Sequence, residues 1–492
     1  MLRRSTIAGV IAVSSLAGCA VGPNFHAPAP PATSNYTRGQ QPAGTADVPV
    51  AGGAAQTFVS DRDIPADWYG LFQSEQLDDL VRRALHDSPT VEAAKAALRS
   101  AENTYIAERG ALFLPQADGQ LGVTRESVPG ASFGDPKAPS SLFTLYNASV
   151  NVSYRLDIFG ASRRQLEQLR AQTDFQRWEL EAANLTLTGN VVTTAFDVAS
   201  LTDQLAAVKD VVAAETEQYK VVQRQFEVGA ASKADVLSQL AQLAQARAVV
   251  PGLEKALAQA QHRLAVLAGR TPDDASIPDF VLDRFTLPTE LPVTVPAKLV
   301  RQRPDVQAAE AQLHQATAAV GIATANLYPQ LNLTGSIGTE SVTSGGLFGA
   351  GTGTWSVGAA LLQPLFHGGE LRYKRRAAVA DLEQADANYR QTVLAAMEEV
   401  ADTLRALETD ARALEAQVEA EKAASDAFEI SKKQFRVGGV SYVTVLNTQR
   451  LFLEARQSRV QAQAARYSDS AALFQALGGG WWNRKDQEVA SK

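Results

Sequence analysis

A helix-ending pattern occurs twice in this chain, about 209 residues apart. In each copy a glycine suited to the left-handed position after a helix is followed by a serine suited to the next N-cap. The two copies are Gln225-Phe226-Glu227-Val228-Gly229-Ala230-Ala231-Ser232 and Gln434-Phe435-Arg436-Val437-Gly438-Gly439-Val440-Ser441. Their similarity predicts an internal duplication in which each half contains two antiparallel helices joined by a short turn.

Apolar residues spaced by four and three precede both turns. In the first half the spacing is kept for more than five heptads and is broken only by Thr194 and Glu215. This seam predicts long helices that pack as coiled coils. Its members are Leu187, Val191, Thr194, Val198, Leu201, Leu205, Val208, Val212, Glu215, Tyr219, Val222 and Phe226, with a weaker second series at Val393, Met397, Val400, Leu404, Leu407, Ala411, Leu414, Val418, Phe428 and Phe435.

The seams place a helical hairpin in each half of the chain, over residues 161–268 and 368–477. A helix from Ala161 to Phe226 would be roughly 100 Å long at 1.5 Å per residue. We expect Pro251-Gly252 to kink or divide the second helix of the first hairpin, because proline removes a helical hydrogen bond.

A different pattern, the strict alternation of apolar and polar residues, comes before each hairpin. It predicts four β-strands near residues 116–125, 143–157, 330–339 and 353–363. Runs of about ten alternating residues are typical of membrane strands that face lipid on one side and an aqueous lumen on the other. Half-buried strands of a soluble sandwich are the alternative.

Aromatic residues near the strand ends suit the girdles found where a membrane meets water. The candidates are Phe143, Tyr146, Tyr154 and Trp355. Four strands cannot close a barrel, because about eight are needed and open edges in lipid are costly. The chain is therefore predicted to oligomerise.

The N-terminus has the layout of a bacterial lipoprotein signal. Arg3 and Arg4 precede an apolar run that ends at Leu16-Ala17-Gly18-Cys19 and is shorter than the roughly 20 residues of a spanning helix. The last four residues resemble the lipobox, so we expect residues 1–18 to be a signal peptide and Cys19 to carry a lipid. A buried thiol behind an ordinary signal is the alternative.

Residues 19–66 are predicted to form an extended tether between the lipid and the body of the protein. From residue 22 onward the segment is rich in Pro, Ala, Gly and Thr and contains few bulky apolar residues, so it should bury little surface. A disordered tail without a role is the alternative.

Composition argues against several classes of function. A formal net charge of -7 gives no basis for a nucleic-acid partner. One Cys and 5 His form no metal-binding spacing and no catalytic constellation with Ser, Cys or carboxylates, so we expect no metal, no enzymatic activity and no cofactor besides a lipid on Cys19. The histidines are His26, His86, His262, His314 and His367.

Five further segments complete a resemblance to a known family. They are Ser88-Pro89-Thr90-Val91-Glu92-Ala93-Ala94, Leu112-Phe113-Leu114-Pro115-Gln116, Arg303-Pro304-Asp305-Val306-Gln307-Ala308-Ala309-Glu310, Leu327-Tyr328-Pro329-Gln330 and Ala476-Leu477-Gly478-Gly479-Gly480-Trp481. Together with the two turns they resemble the TolC-like outer-membrane efflux proteins, and the chain looks like the NodT/OprM-type lipoprotein branch. The repeats would cover residues 67–270 and 296–480, with a linker at 271–295 and a tail at 481–492.

The resemblance implies an α+β membrane protein. Three copies would build a 12-stranded outer-membrane β-barrel that continues into a long periplasmic coiled-coil barrel. It implies a lipid-anchored, passive exit duct for drugs and toxic compounds in a tripartite pump. The partners would be a periplasmic adaptor protein and an inner-membrane transporter of the resistance-nodulation-division class. Ala20 after Cys19 fits outer-membrane sorting.

By resemblance, the hairpin turns form the periplasmic tip, which gates the duct or docks the adaptor. The tip residues are Val228, Gly229, Ser232, Asp235, Val437, Gly438, Val440, Ser441, Thr444 and Asn447. The family's acidic ring falls on Thr444 and Asn447 and its basic tip residue on Val440, so an ionic gate is not expected here. Asp235 matches a family acid, and capping of the next helix is its alternative role.

Two other functions stay open on the sequence. A type I protein-secretion channel has the same architecture; the lipid anchor and the Gly-Gly-Gly-Trp ending favour drug efflux, by resemblance alone. A structural coiled-coil envelope lipoprotein would explain the heptads and the anchor but would leave the four alternating strands without a purpose.

Overall fold

The computed structural model describes residues 20–38, 43–60, 62–135, 137 and 139–484. The predicted signal peptide, Cys19 and the last eight residues of the predicted tail lie outside them. The chain divides into two compact units. We call residues 1–28, 97–176 and 309–389 the sheet unit, and residues 29–96, 177–308 and 390–492 the hairpin unit.

Strands and helices alternate in two similar series along the chain. The strands are β1 (Thr57–Ser60), β2 (Gln116–Val128), β3 (Ser141–Leu156), β4 (Glu290–Val293), β5 (Gln330–Ser341) and β6 (Gly353–Leu362). The helices are α1 (Glu75–Asp87), α2 (Pro89–Phe113), α3 (Ala161–Glu227), α4 (Lys233–Leu267), α5 (Pro296–Gln302), α6 (Pro304–Ala325), α7 (Glu370–Arg436) and α8 (Tyr442–Ala476).

The long helices occur in two pairs of equal length. α3 and α7 contain 67 residues each, and α4 and α8 contain 35 each. Of the two outcomes expected at Pro251-Gly252, a division is excluded because α4 continues through Pro251, and a kink stays a prediction. One missing hydrogen bond is offset by the many that a helix of this length retains. None of the helices in the described part of the chain is long and apolar enough to cross a membrane.

The sheet unit holds an antiparallel sheet with the strand order β2-β3-β5-β6. Its register pairs Val123 with Tyr146, Val150 with Ile337, and Ile337 with Trp355. Directly paired residues point to the same face, so the alternating apolar residues of all four strands share one face. This face is open, with Ile337 67% and Trp355 77% exposed.

One of the four predicted interfacial aromatics lies on the opposite face. Phe143 pairs with Glu126, one step out of phase with the apolar set that contains Tyr146 and Tyr154. A one-residue offset reverses the face of a side chain in a strand. The register therefore excludes Phe143 from the group formed by Tyr146, Tyr154 and Trp355.

The hairpin unit is built around an aromatic core. Trp68 stacks on Phe474 at a centroid distance of 5.5 Å, and Phe196 contacts Phe72 and Phe285 at 4.9 Å each. Edge-to-face and offset pairs of this kind stabilise a core beyond their buried area. The core thus joins α3 and α8 to the segments before α1 and before β4.

The expectation that the N-terminal segment buries little is wrong for residues 43–60 and 62–66. Val48 and Ile64 are buried, and β1 pairs in parallel with β4. Gln56 is fully buried, donating to the Pro288 carbonyl oxygen at 2.9 Å and accepting from the Arg466 guanidinium at 3.0 Å. Backbone pairing and a satisfied polar side chain hold this segment, so it needs few bulky apolar residues.

The Arg-Pro-Asp motif joins three helices of the hairpin unit. Arg303 donates to both carboxylate oxygens of Asp305, at 3.0 and 2.8 Å, to Glu399 of α7 at 2.6 Å, and to the Ala476 carbonyl oxygen at the end of α8 at 2.8 Å. Bonds between ions are stronger than neutral ones, and the guanidinium fork directs several at once. This motif has a structural role at the opposite end of α8 from the turn.

Candidate functional site

The two hairpin turns share one backbone geometry. Gly229 and Gly438 have φ of 77° and 73°. In the first turn the Ala230 N–H donates to Gln225 and the Gly229 N–H to Phe226, and the second turn repeats both bonds at the equivalent positions. This is the Schellman arrangement, which requires a left-handed residue after the helix. The predicted glycine positions are confirmed.

The serine caps are also confirmed, but they differ between the halves. The Ser232 hydroxyl accepts from the Asp235 N–H at 3.2 Å, and the Asp235 carboxylate accepts from the Ser232 N–H at 2.9 Å. This reciprocal pair is a capping box. In the second turn the Ser441 hydroxyl accepts from the Thr444 N–H at 3.4 Å, without a carboxylate in return. Hydrogen bonds from Ser232 hold the pKa of Asp235 below its usual range.

Replacing Asp235 with alanine should loosen the start of α4 by about 0.5–1 kcal/mol, since the helix loses a cap. Because the pKa of Asp235 is lower in the folded than in the unfolded chain, its carboxylate stabilises the fold at pH values above the unfolded-state pKa. This stabilisation is lost as the pH falls through the folded-state pKa. The difference from wild type should therefore be constant near neutral pH and shrink below about pH 4. Hydrogen exchange of the first-turn amides of α4 measures it.

Thr444→Ala is the matched control, because it changes the equivalent position of the second turn without removing a carboxylate cap. Leakage through the assembled protein separates capping from gating. If Asp235 also gates, Asp235→Ala should raise leakage more than Thr444→Ala. Wild-type leakage in both variants would reduce Asp235 to a helix cap.

An apolar cluster joins the ends of the two hairpins. Its buried members come from α3, α4 and α8, and Tyr219, Ala231, Phe428 and Phe435 pack against them. Apolar burial of this kind favours keeping the hairpin ends together. We call it the inter-hairpin cluster; its buried residues are Val222, Val236, Tyr442, Val445 and Leu446.

The two turns contribute unequally to this cluster. Lys233 and Tyr442 are equivalent first residues of α4 and α8. Tyr442 is buried, with its ring 5.1 Å from that of Phe435. Lys233 instead lies 5.5 Å from the ring centre of Phe226, which is 40% exposed. The second turn therefore adds a buried aromatic residue to the cluster, whereas the first turn keeps a lysine and a phenylalanine ring at the surface.

The other predicted tip residues lie around the turns with differing exposure. Val228 and Val437 are 79% and 81% exposed, and Thr444 and Asn447 are also exposed. Val440 is half-buried. The structure therefore brings the turn residues of each hairpin together. It joins the two hairpins through residues that were not predicted as tip residues, some of which, such as Val222 and Phe435, belong to the predicted heptad seams. The Val236-Leu237 and Val445-Leu446 pairs after the two caps were the available signal.

Glu215 interrupts the apolar seam and lies in the interior. It is 2% exposed, and its carboxylate and its carbonyl oxygen both accept from the Gln239 amide of α4. Burial raises the pKa of Glu215, while the bond from Gln239 lowers it less. The Gln239 Oε1 atom is buried and has no hydrogen-bond partner within the described residues. A neutral carboxyl group suits this setting better than a charged one.

Glu215→Gln should stabilise the hairpin unit at neutral pH. A raised pKa means that the stability contribution of Glu215 is complete at acidic pH and is lost as pH rises through the folded value. The amide has no charge to desolvate, so we expect it to gain about 1–3 kcal/mol over wild type near pH 8. Thermal unfolding between pH 4 and pH 8 measures the gain, which should vanish toward pH 4.

Glu217→Gln is the control, since this side chain lies two residues away, is exposed and pairs with Lys220 at 2.7 Å. It should not reproduce the gain at neutral pH. A pH-independent difference between Glu215→Gln and wild type would show that Glu215 does not titrate in this way.

The side chains that could bind a metal ion lie apart from one another. Within the described part of the chain no group of three His, Cys, Asp or Glu side chains could hold a metal ion. His314 pairs with Glu167 at 3.0 Å and stacks on Phe25. That histidine therefore has a packing role in the sheet unit.

The sequence matches a known family over most of its length. The profile of the outer membrane efflux protein family covers residues 80–270 and 295–479, and each segment contains one long helical hairpin. The chain belongs to this family of transport channels. It is accordingly an outer-membrane efflux protein with a large periplasmic part.

Two relatives illustrate the match. The pyoverdine export outer membrane protein OpmQ of Pseudomonas aeruginosa is 30% identical over 421 residues, covering 84% of this chain and 87% of that protein. The antibiotic efflux pump outer membrane protein ArpC of Pseudomonas putida is 27% identical over 490 residues, covering 99% of this chain and 98% of that protein.

Solved structures show the same fold. The outer-membrane channel OprN is 26% identical, with a TM-score of 0.84 over 94% of this chain and 100% of that chain. The open state of the outer membrane channel MtrE of Neisseria gonorrhoeae is 25% identical, with a TM-score of 0.79 over 94% of this chain and 99% of that one. The fold is thus the mixed, mostly helical fold of TolC-like channels.

Proposed function

We propose that this protein is the passive exit duct of a tripartite efflux pump. The proposal rests on two features of the chain: a four-stranded sheet with an exposed apolar face, and duplicated 67-residue helices. A sheet with this face belongs in lipid, and long paired helices can line a water-filled passage. Passive conduction needs no cofactor.

The edges of the sheet support oligomerisation. Within the described residues β2 and β6 each pair on one side only. Unpaired backbone groups cost several kcal/mol each in lipid, so each edge requires a strand from another copy. Pairing β6 of one protomer with β2 of the next closes the ring, and the family resemblance gives three copies and 12 strands. The interior is then polar, with Ser336 and Ser356 on the face opposite Trp355.

Relatives supply the substrate class and the partners. ArpC is named for an antibiotic efflux pump and OpmQ for pyoverdine export. From these names we extend an assignment of small molecules as cargo. The family resemblance adds a periplasmic adaptor and an inner-membrane transporter of the resistance-nodulation-division class as partners. Selection of the cargo would rest mainly with that transporter.

The hairpin ends are proposed as the gate and the docking site for the adaptor. Closure would rest on apolar packing in the inter-hairpin cluster and on hydrogen bonds, because Thr444 and Asn447 offer no charge ring. An adaptor that competes for these contacts would let one hairpin shift past the other, a shear between packed states.

A lipid on Cys19 fits the surroundings of the next residue. Ala20 lies against Gly160 between β3 and α3, and the Val21 N–H donates to the Phe159 carbonyl oxygen at 3.1 Å. This junction is the helix-side end of the membrane strands, where an acyl chain could enter the bilayer.

Cellular accumulation of a fluorescent pump substrate tests the proposal. Deleting the protein from its host should raise accumulation, and expressing it with its cognate adaptor and transporter should restore export. Restoration by the adaptor and transporter without this protein would contradict the role of exit duct. Secretion of a protein cargo in place of dye export would indicate a type I channel.

A further inference from the structure

A buried arginine in the sheet unit holds the segment that follows Cys19. Arg164, in the first turn of α3, is 4% exposed. Its guanidinium donates to Asn24 Oδ1 at 2.7 Å and to the carbonyl oxygens of Val21 and Gly22 at 3.4 and 3.5 Å. One side chain therefore binds three successive points of an extended segment.

Glu167 and His314 complete the binding surface. Glu167 accepts from Arg164 at 2.7 Å and contacts the His314 ring nitrogen at 3.0 Å. The His314 ring stacks on Phe25 with a centroid distance of 4.2 Å and an interplanar angle of 15°. A charged network thus fixes the ring that receives the one aromatic side chain between residues 20 and 28.

The backbone is also shaped for this contact. Gly22 has φ of 93°, and a Cβ on it would lie 2.6 Å from the Cα of Gly321 in α6. A Cβ on Gly321 would in turn meet the Arg164 side chain at 2.8 Å. Two glycines therefore let the segment pass between α3 and α6 at a distance that other residues would prevent.

We propose that Arg164, Glu167, His314 and the Gly22–Gly321 contact form a clamp that sets where the acyl anchor enters the membrane. This inference rests on the proposed acylation of Cys19. Because the clamp holds residues 20–25 near the end of β3, it fixes the depth at which the lipid enters the bilayer relative to the strands. Arg164, Glu167 and His314 act as positioning residues, through the segment that follows Cys19.

Spin labelling of the full-length protein at Pro23→Cys reports directly on the clamp. Pro23 is exposed, and acylation leaves no free thiol on Cys19. The label should be restricted in wild type and mobile after Phe25→Ala, which removes the stacking partner from the segment and leaves the body intact. Arg164→Met, which changes the part of the protein that holds the segment, should also make the label mobile. His26→Ala, at an exposed neighbouring position, is the control and should stay restricted.

Assembly tests whether the clamp acts through the anchor. With Cys19 present, Phe25→Ala and Arg164→Met should each lower the amount of assembled oligomer in the outer membrane by roughly tenfold, as loss of a charge-assisted or stacking contact would. In a Cys19→Ala background neither should lower it further.

Three results would overturn the proposal. The label could remain restricted in both variants, or assembly could fall equally with and without Cys19. Mass spectrometry could also find Cys19 without acyl chains, which would refute the lipid anchor while leaving the exit duct untouched.

Discussion

Val357→Arg should abolish assembly in the outer membrane, whereas Ser356→Arg should be tolerated. Val357 is 82% exposed, lies near the middle of β6 and shares the apolar face with Trp355. Arginine at the bilayer midplane costs about 2–4 kcal/mol in a membrane barrel, and a trimer would carry this cost in every protomer. Ser356 points to the other face, where its hydroxyl lies 3.0 Å from that of Ser336.

The yield of heat-dissociable oligomer in outer-membrane fractions measures this difference. Both variants add the same side chain and the same charge at adjacent residues of one strand, so they differ mainly in the face that receives the arginine. Equal assembly of the two variants would mean that the face containing Val357 does not meet lipid. Failure of Ser356→Arg alone would reverse the assignment of the two faces.

Leu446→Ala should open the hairpin ends. Leu446 is 4% exposed and belongs to the inter-hairpin cluster. Truncating a buried leucine costs about 2–5 kcal/mol, because transfer energy is lost and a cavity remains. If this packing closes the duct, cells that carry the variant should take up a dye excluded by wild-type cells.

Val443→Ala is the matched control, three residues earlier on the same helix and 56% exposed in wild type. It should leave dye uptake unchanged, since an exposed truncation removes little packing. Unchanged uptake in Leu446→Ala, with a lowered unfolding temperature, would show that the cluster stabilises the fold without closing the passage.

Periodicity explains why most of the fold could be predicted. The heptad seams give hairpins that begin and end within two residues of the predicted bounds 161–268 and 368–477. The alternation of apolar and polar residues located all four strands of the sheet. The observed β2 is three residues longer than predicted, since it ends at Val128 and not at residue 125. Both signals come from the side-chain period of the element itself, so they need no knowledge of the tertiary structure.

The sequence could not predict features that depend on distant partners. β1 and β4 are four residues long, and β1 is held by pairing with a strand more than 200 residues away. Gln56 can be buried because its side-chain amide forms hydrogen bonds with Arg466 and with the carbonyl oxygen of Pro288. Such contacts leave no local period, and composition alone indicates an extended segment.

In the candidate site, the residues of the turns were predicted from the sequence, but the packing between the two hairpins was not. Gly229, Gly438 and the serine caps follow from local backbone chemistry. The inter-hairpin cluster depends on how α8 meets α3 and α4, and Glu215 was visible only as a break in a seam. Phe143 was misassigned because the pairing register, rather than aromatic character, decides its face.

Single-channel recording of the purified wild-type protein in a planar bilayer distinguishes an exit duct from a lipoprotein that does not conduct. An oligomeric exit duct that rests closed predicts stable insertion, with a low conductance that rises in Leu446→Ala. A monomeric protein that inserts without conducting, in wild type and variant alike, would rule out the role of exit duct.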